Sequence, residues 1–154
     1  MSTAADTEGS DALTAYGEAL AAAAVGSDTG EREQLGENLI RTFLQFWDDP
    51  QLRPSLLERY RAAFTSDAGA TQMREFMSST VFAQAVGKME DPPKTIEETA
   101  KLLGVPPLHL NAAVSQVMGV IMLRYVVQVE PIASAAPDEI LGVIAPTIQR
   151  YLVG

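Results

Sequence analysis

His109 is the only histidine and the chain has no cysteine, so neither a zinc site nor a Ser-His-Asp arrangement can be assembled from these residues. The remaining groups able to move protons are carboxylates, and three pairs stand adjacent: Asp48/Asp49, Glu97/Glu98 and Asp138/Glu139. Each pair falls at the end of an apolar-periodic segment, where capping and the helix dipole account for acids without any catalytic role. No glycine-rich loop able to cradle a phosphate is present. The sequence thus points to a protein that is not an enzyme, with no catalytic residue, no metal and no cofactor. Arg124 is the one charge of a different kind. It interrupts "VMGVIMLRYVVQVEP" (117–131), the most apolar stretch of the chain.

The charge balance narrows the partners. Residues 1–50 carry ten acids against two bases, Arg32 and Arg41, and the whole chain stands at −9. A chain with so few clustered bases grips nucleic acid poorly. The run between Lys101 and Arg124 is free of charge but contains Pro106, Pro107, His109, Asn111, Ser115 and Gln116, so it does not read as a membrane span. No lysine or arginine precedes an apolar segment at the start, as a secretory signal would require. A cytoplasmic location is expected.

Every strong periodicity is helical. Residues 1–12 read as a disordered tail and 13–30 as an alanine-rich helix with a linker, "GSDTG", at 26–30. Asp28 with Glu31 reads as a capping box for a helix that presents Leu35, Leu39, Phe43, Phe46 and Trp47 and stops at Asp48-Asp49-Pro50. A third helix opens at Pro54 and buries Leu56, Leu57, Tyr60 and Phe64; a fourth, capped by Ser66-Asp67, turns Met73, Phe76, Met77, Val81 and Val86 inward. After Pro92-Pro93, Thr95 and Glu98 frame a short helix over 96–103 that Gly104 ends. A long apolar helix is expected over 107–129 and a last one from Pro137 to about Leu152, bent where Pro146 removes the bond to the Gly142 carbonyl. The fold class is all-α.

"TIEETAKLLGVPPLHLNAAV" (95–114) has the spacing of a helix-turn-helix in Ala100, Gly104 and Val105. The helix after the turn, however, offers no base before Arg124 with which to read DNA, so a core helix turning into a long buried one is the expected reading. Apolar positions cover nearly the whole circumference of 107–129, and a helix apolar all round must be covered all round. A second chain is the natural cover. The expected dimer surface is Val117, Ile121, Arg124, Tyr125 and Gln128 with Ile140, Ile144, Ile148 and Tyr151 of the last helix, Arg124 reaching across or lying at the rim. The aromatic and methionine side chains Phe43, Trp47, Tyr60, Phe64, Met73, Phe76, Met77, Met118 and Met122 fit either a filled core or an apolar ligand pocket.

"GENLIRTFLQFWDDPQLRPSLLERYRAAFTSDAGATQMREFM" (36–77) and "MLRYVVQVEPIASAAPDEILGVIAPTIQRYLVG" (122–154) resemble the carboxy-terminal regulatory domain of TetR-family transcriptional regulators of an actinobacterial type. The resemblance covers 31–154, with a departure at 88–107. It implies an all-helical regulatory domain that binds a small apolar effector between its helices, the 43–82 aromatics and methionines lining the pocket. It further implies dimerisation through the last two helices as a four-helix bundle. Such regulators begin with a DNA-binding domain that residues 1–30 do not supply. The expectation is therefore a sensing half that forms a homodimer, or a heterodimer with a full-length TetR-like regulator, and does not bind DNA alone. The alternative is a stand-alone small-molecule-binding or scaffold helical domain with no role at DNA.

Overall fold

A computed structural model of the chain describes residues 33–76 and 95–153, together with the single positions Asp11 and Ala15. The tail at 1–12, the helix over 13–25, the Asp28/Glu31 capping box, Met77, Val81, Val86 and Pro92-Pro93 lie outside the described residues, the two single positions apart. What is described is helical, and no strand occurs among these residues.

α1 spans Leu35–Asp48 and buries Leu35, Phe43 and Trp47 of the expected stripe; Leu39 and Phe46 are only half-buried, and Ile40 and Leu44 are buried in their stead. α2, Arg53–Thr65, carries its proline in the first turn, where the missing N–H has no intrahelical partner to lose. α3, Asp67–Glu75, is capped by Ser66, whose hydroxyl accepts from Gly69 N at 3.0 Å. α4, Ile96–Leu103, begins at Thr95, whose hydroxyl accepts from Glu98 N at 3.2 Å, and ends at Gly104 with φ 72°. That left-handed conformation suits glycine and allows Val105 N to bond back to Ala100 O.

α5 runs over Pro107–Ile121, at 106° to α4 across the Gly104–Pro106 turn. It does not continue as an α-helix to 129. A π-helical turn, Met122–Val126, takes over, closed by Val127 N to Met122 O at 2.8 Å. Each residue of a turn closed by i→i+5 bonds advances less than the ~100° of an α-helix. Tyr125 therefore stays on the inner face with Leu110, Ala113 and Ile121, while Leu123 and Val127 fall outward in line with Leu108 and Gly119. Gln128, a non-glycine at φ 58°, then starts the corner to α6.

α6, Pro137–Val153, is continuous through Pro146. Both Gly142 and Pro146 face solvent, where water can take the carbonyl the proline leaves free. The helix packs mainly on α1, and the approach is close: Gly36 N donates to Gln149 Oε1 at 2.7 Å. Gln34 gives α1 no side-chain cap, so a residue 113 positions away satisfies one of its orphan N–H groups. No single helix among the described residues is long and apolar enough to cross a membrane; the bent pair of α4 with the stretch Pro107–Val126 passes only by length and composition together.

Candidate effector layer and the Arg124 joint

The aromatic residues of α1 and α2 and the π turn meet in one layer. Trp47 lies 6.1 Å from Phe43 between ring centroids, edge-on to Tyr60 at 6.3 Å, and stacked on Tyr125 at 5.2 Å. Met118 and Met122 pack half-buried against the hydrophobic core that includes these rings, as do Met73 and Phe76. Burial raises the Tyr60 hydroxyl above its ordinary pKa, and as a protonated donor it reaches Met118 O at 3.2 Å. Trp47 is only 3% exposed, yet among the described residues its Nε1 has no hydrogen-bond partner. Of the residues expected around a pocket, Phe64 departs: it is 65% exposed at the end of α2, touching Tyr60 with one edge.

A cleft of about 520 Å³ opens elsewhere, between the start of α1 and the outer side of α6. Glu33, Glu37, Asp138, Arg41 and Gln149 border it, and none of the expected pocket residues does. Arg41 pairs there with Glu37 at 2.7 Å and more loosely with Asp138 at 3.8 Å, all on exposed side chains.

Arg124, expected to reach across a dimer surface or lie at its rim, packs in the interior of the chain itself. Its side chain is 9% exposed. Nε and Nη2 donate to Asp48 Oδ1 at 3.3 Å, and Nη1 donates to the carbonyls of Ile132 and Ala135 at 2.8 Å each. Tyr125 donates its hydroxyl to the same Asp48 Oδ1 at 2.8 Å. Burial first, and then the neighbouring Asp48 carboxylate, hold the Tyr125 hydroxyl far above the ordinary tyrosine range, against the opposing pull of Arg124. Arg53 completes the arrangement by donating to the Trp47 and Asp48 carbonyls at 2.8 and 2.9 Å, which caps the C-terminus of α1.

Four other residues expected on the dimer surface, Ile121, Tyr125, Ile140 and Ile148, are likewise buried within the chain. Val117, Ile144 and Tyr151 are half-buried against the same core, and Gln128 alone of that set is exposed. The reason is the side of each helix that α1 covers: once α1 packs on α6, the isoleucine stripe faces inward. Among the described residues from 107 to 153, the large apolar side chains left outward are Leu108, Leu123, Val127, Val129 and Val143. Sequence reasoning also missed Asp48, which was assigned only to a helix end, and Arg53. No local spacing signals a pair 76 residues apart.

The remaining carboxylates match their expected duty at helix ends. Asp49 accepts from Gln51 N at 2.8 Å, and Glu139 accepts from Ala136 N at 2.8 Å. His109 sets its ring edge-on to Tyr151 at 6.2 Å between α5 and α6.

No curated protein and no solved structure matches the chain. A family model described as "Tetracyclin repressor-like, C-terminal domain" matches residues 33–152, which spans all of α1 to α6 but the final residue. With that match over most of its length and an all-helical architecture, the chain belongs to the tetracyclin repressor-like C-terminal domain family.

Proposed function

We propose that the chain is the regulatory domain of a TetR-type transcriptional regulator, which binds a small, largely apolar effector at the aromatic layer and acts as a dimer. The observation that supports the effector reading is Trp47 Nε1. A buried N–H without a partner costs about 1–3 kcal/mol, and an effector with an apolar body and one hydrogen-bond acceptor would remove that penalty. Phe43, Tyr60 and Tyr125 supply the apolar contact area beside Trp47, and Met118 and Met122 belong to the same core. The effector is thus amphipathic in chemistry, a carbonyl or ether compound more than a pure hydrocarbon.

Thermal shift with matched probes tests this. 2-Octanone should stabilise the protein more than n-octane. In Trp47→Phe the ketone's advantage should fall about fivefold in affinity, the equivalent of about 1 kcal/mol for one neutral hydrogen bond. Equal stabilisation by the two probes would remove Trp47 Nε1 from the reading. No stabilisation by either would remove the layer itself.

The dimer reading rests on the outward apolar residues of the last two helices. Leu108, Leu123, Val127 and Val143 are 42–73% exposed, a row that a second copy would cover. Light scattering after gel filtration should give a dimer mass at micromolar concentration, and Leu123→Glu should give a folded monomer. A monomer mass for the unaltered protein would sink the homodimer. Recovery with a full-length TetR-like regulator would then favour the heterodimer. Direct DNA binding is not proposed for this chain alone: no base precedes Arg124 along α5, and Arg124 is committed to Asp48 and the 132–135 carbonyls.

A further inference from the structure

We infer that Asp48, Arg124 and Tyr125 form a coupling joint that links the aromatic layer around Trp47 to the corner between α5 and α6; the inference rests on the effector reading for its signal, not for its geometry. Four pieces of chain meet at the joint. The end of α1 brings Asp48, one residue after Trp47. The π turn brings Arg124 and Tyr125 side by side. The corner offers the carbonyls of Ile132, Ala133 and Ala135 to one guanidinium nitrogen, at 2.8, 3.4 and 2.8 Å. The start of α2 brings Arg53, whose guanidinium lies 5.4 Å from the Tyr125 ring centroid, while that of Arg124 lies 5.5 Å from it.

The connection is contiguous. The Trp47 ring stacks on Tyr125, Tyr125 donates to Asp48, Asp48 accepts from Arg124, and Arg124 holds the corner. A shift of the Trp47 ring toward Tyr125 presses on the ring stacked against it, 5.2 Å away between centroids. A shift of Tyr125 moves the one carboxylate on which Arg124 is anchored. Arg124 suits this role because a guanidinium is planar and forked, so one side chain can serve a carboxylate along one edge and carbonyls along another.

The corner is also built to respond. Gln128 holds a left-handed φ of 58° without being glycine, a conformation that persists only where its surroundings impose it. Val129 N bonds back to Leu123 O at 2.8 Å, so the residues around Gln128 are tied to the π turn that carries Arg124. Releasing Arg124 therefore removes a constraint on a strained segment, and the first turn of α6 follows directly from that segment. The joint is a positioning device: its residues set where α6 begins relative to α1.

Native-state amide exchange on the full chain, with Trp47 emission recorded in parallel, tests the joint from both sides. Tyr125→Phe keeps the stacked ring and removes the one hydroxyl bond to Asp48. It should speed exchange at the 129–140 amides about fivefold, the factor for losing one hydrogen bond, while the amides of α4 keep their rates. Arg124→Lys keeps the charge but cannot serve Asp48 and the corner together, and it should shift the emission of Trp47, the only tryptophan. Unchanged exchange at 129–140 in Tyr125→Phe, or a uniform rise that includes α4, would overturn the joint. Unchanged Trp47 emission in a folded Arg124→Lys would overturn it too; if that variant does not fold, Tyr125→Phe decides alone by the same outcomes. In the presence of 2-octanone, corner exchange should slow in the unaltered protein and not in Tyr125→Phe. Slowing in both would overturn the joint, whereas no binding of the ketone would sink the effector reading and leave the probe-free arms to decide.

Discussion

Arg124→Ala is expected to destabilise the folded domain by about 3 kcal/mol, near the low end for breaking a buried ion pair by removing one partner. The low end applies because Asp48 keeps 29% of its side-chain exposure and can recover some hydration. The loss comes from both sides of the pair. Asp48 retains only the Tyr125 hydroxyl, and the Ile132 and Ala135 carbonyls lose their shared donor. Urea unfolding should show the midpoint falling with little change in slope. Two controls sharpen the result. Arg74→Ala, on an exposed position of α3, should cost well under 1 kcal/mol. The pair Asp48→Asn with Arg124→Met should be less destabilised than the sum of its single variants, because each single change leaves an uncompensated group that the double change does not. A loss under about 1 kcal/mol for Arg124→Ala would return this residue to the dimer interface or rim that its sequence context suggested.

Gly36→Ala is the second change with a large expected effect, a loss of about 2–3 kcal/mol. Inside an exposed helix the same change would gain about 1 kcal/mol, since alanine has the better propensity. Here a Cβ would stand 2.5 Å from Ala145 O and 2.7 Å from Gln149 N, both backbone atoms of α6. Backbone cannot rotate aside as a side chain can, so α6 must move away from α1 along its length, at the upper range of overpacking costs. That movement also lengthens the Gly36 N bond to Gln149 Oε1. Gly142→Ala gives the contrast, because a Cβ there meets nothing within 4 Å and the substitution should stabilise. Thermal unfolding of the two variants should move in opposite directions. Movement in the same direction would mean that α1 and α6 approach less closely than the geometry requires.

Sequence made the elements legible where the signal was local. Ser66, Thr95 and Gly104 act as caps because capping is a matter of residues three or four apart. The stripe of α1 could be read for the same reason. The layer of Phe43, Trp47, Tyr60, Met118 and Met122 was also legible as a group, since large apolar side chains on facing stripes must meet somewhere. Which way the last two helices turn was not. Ile140, Ile144 and Ile148 form a stripe whose periodicity is plain, but whether a sister chain or α1 covers it depends on tertiary packing, and α1 took the place. Arg124 and Tyr125 were misplaced for a second reason. A wheel drawn at one angle per residue cannot anticipate a π turn, which reassigns the faces of every residue after Ile121.

The bond from Gly36 to Gln149 has a bearing on how the protein comes into being. Of the two helices it joins, α1 is made before α6, and the close contact at Gly36 forms only once α6 has been made. Throughout synthesis the nascent chain carries an apolar ridge that its own later residues must find, a search lengthened by the loop between them. An intermediate that still lacks α6 exposes this ridge, and exposed apolar surface is what chaperones bind.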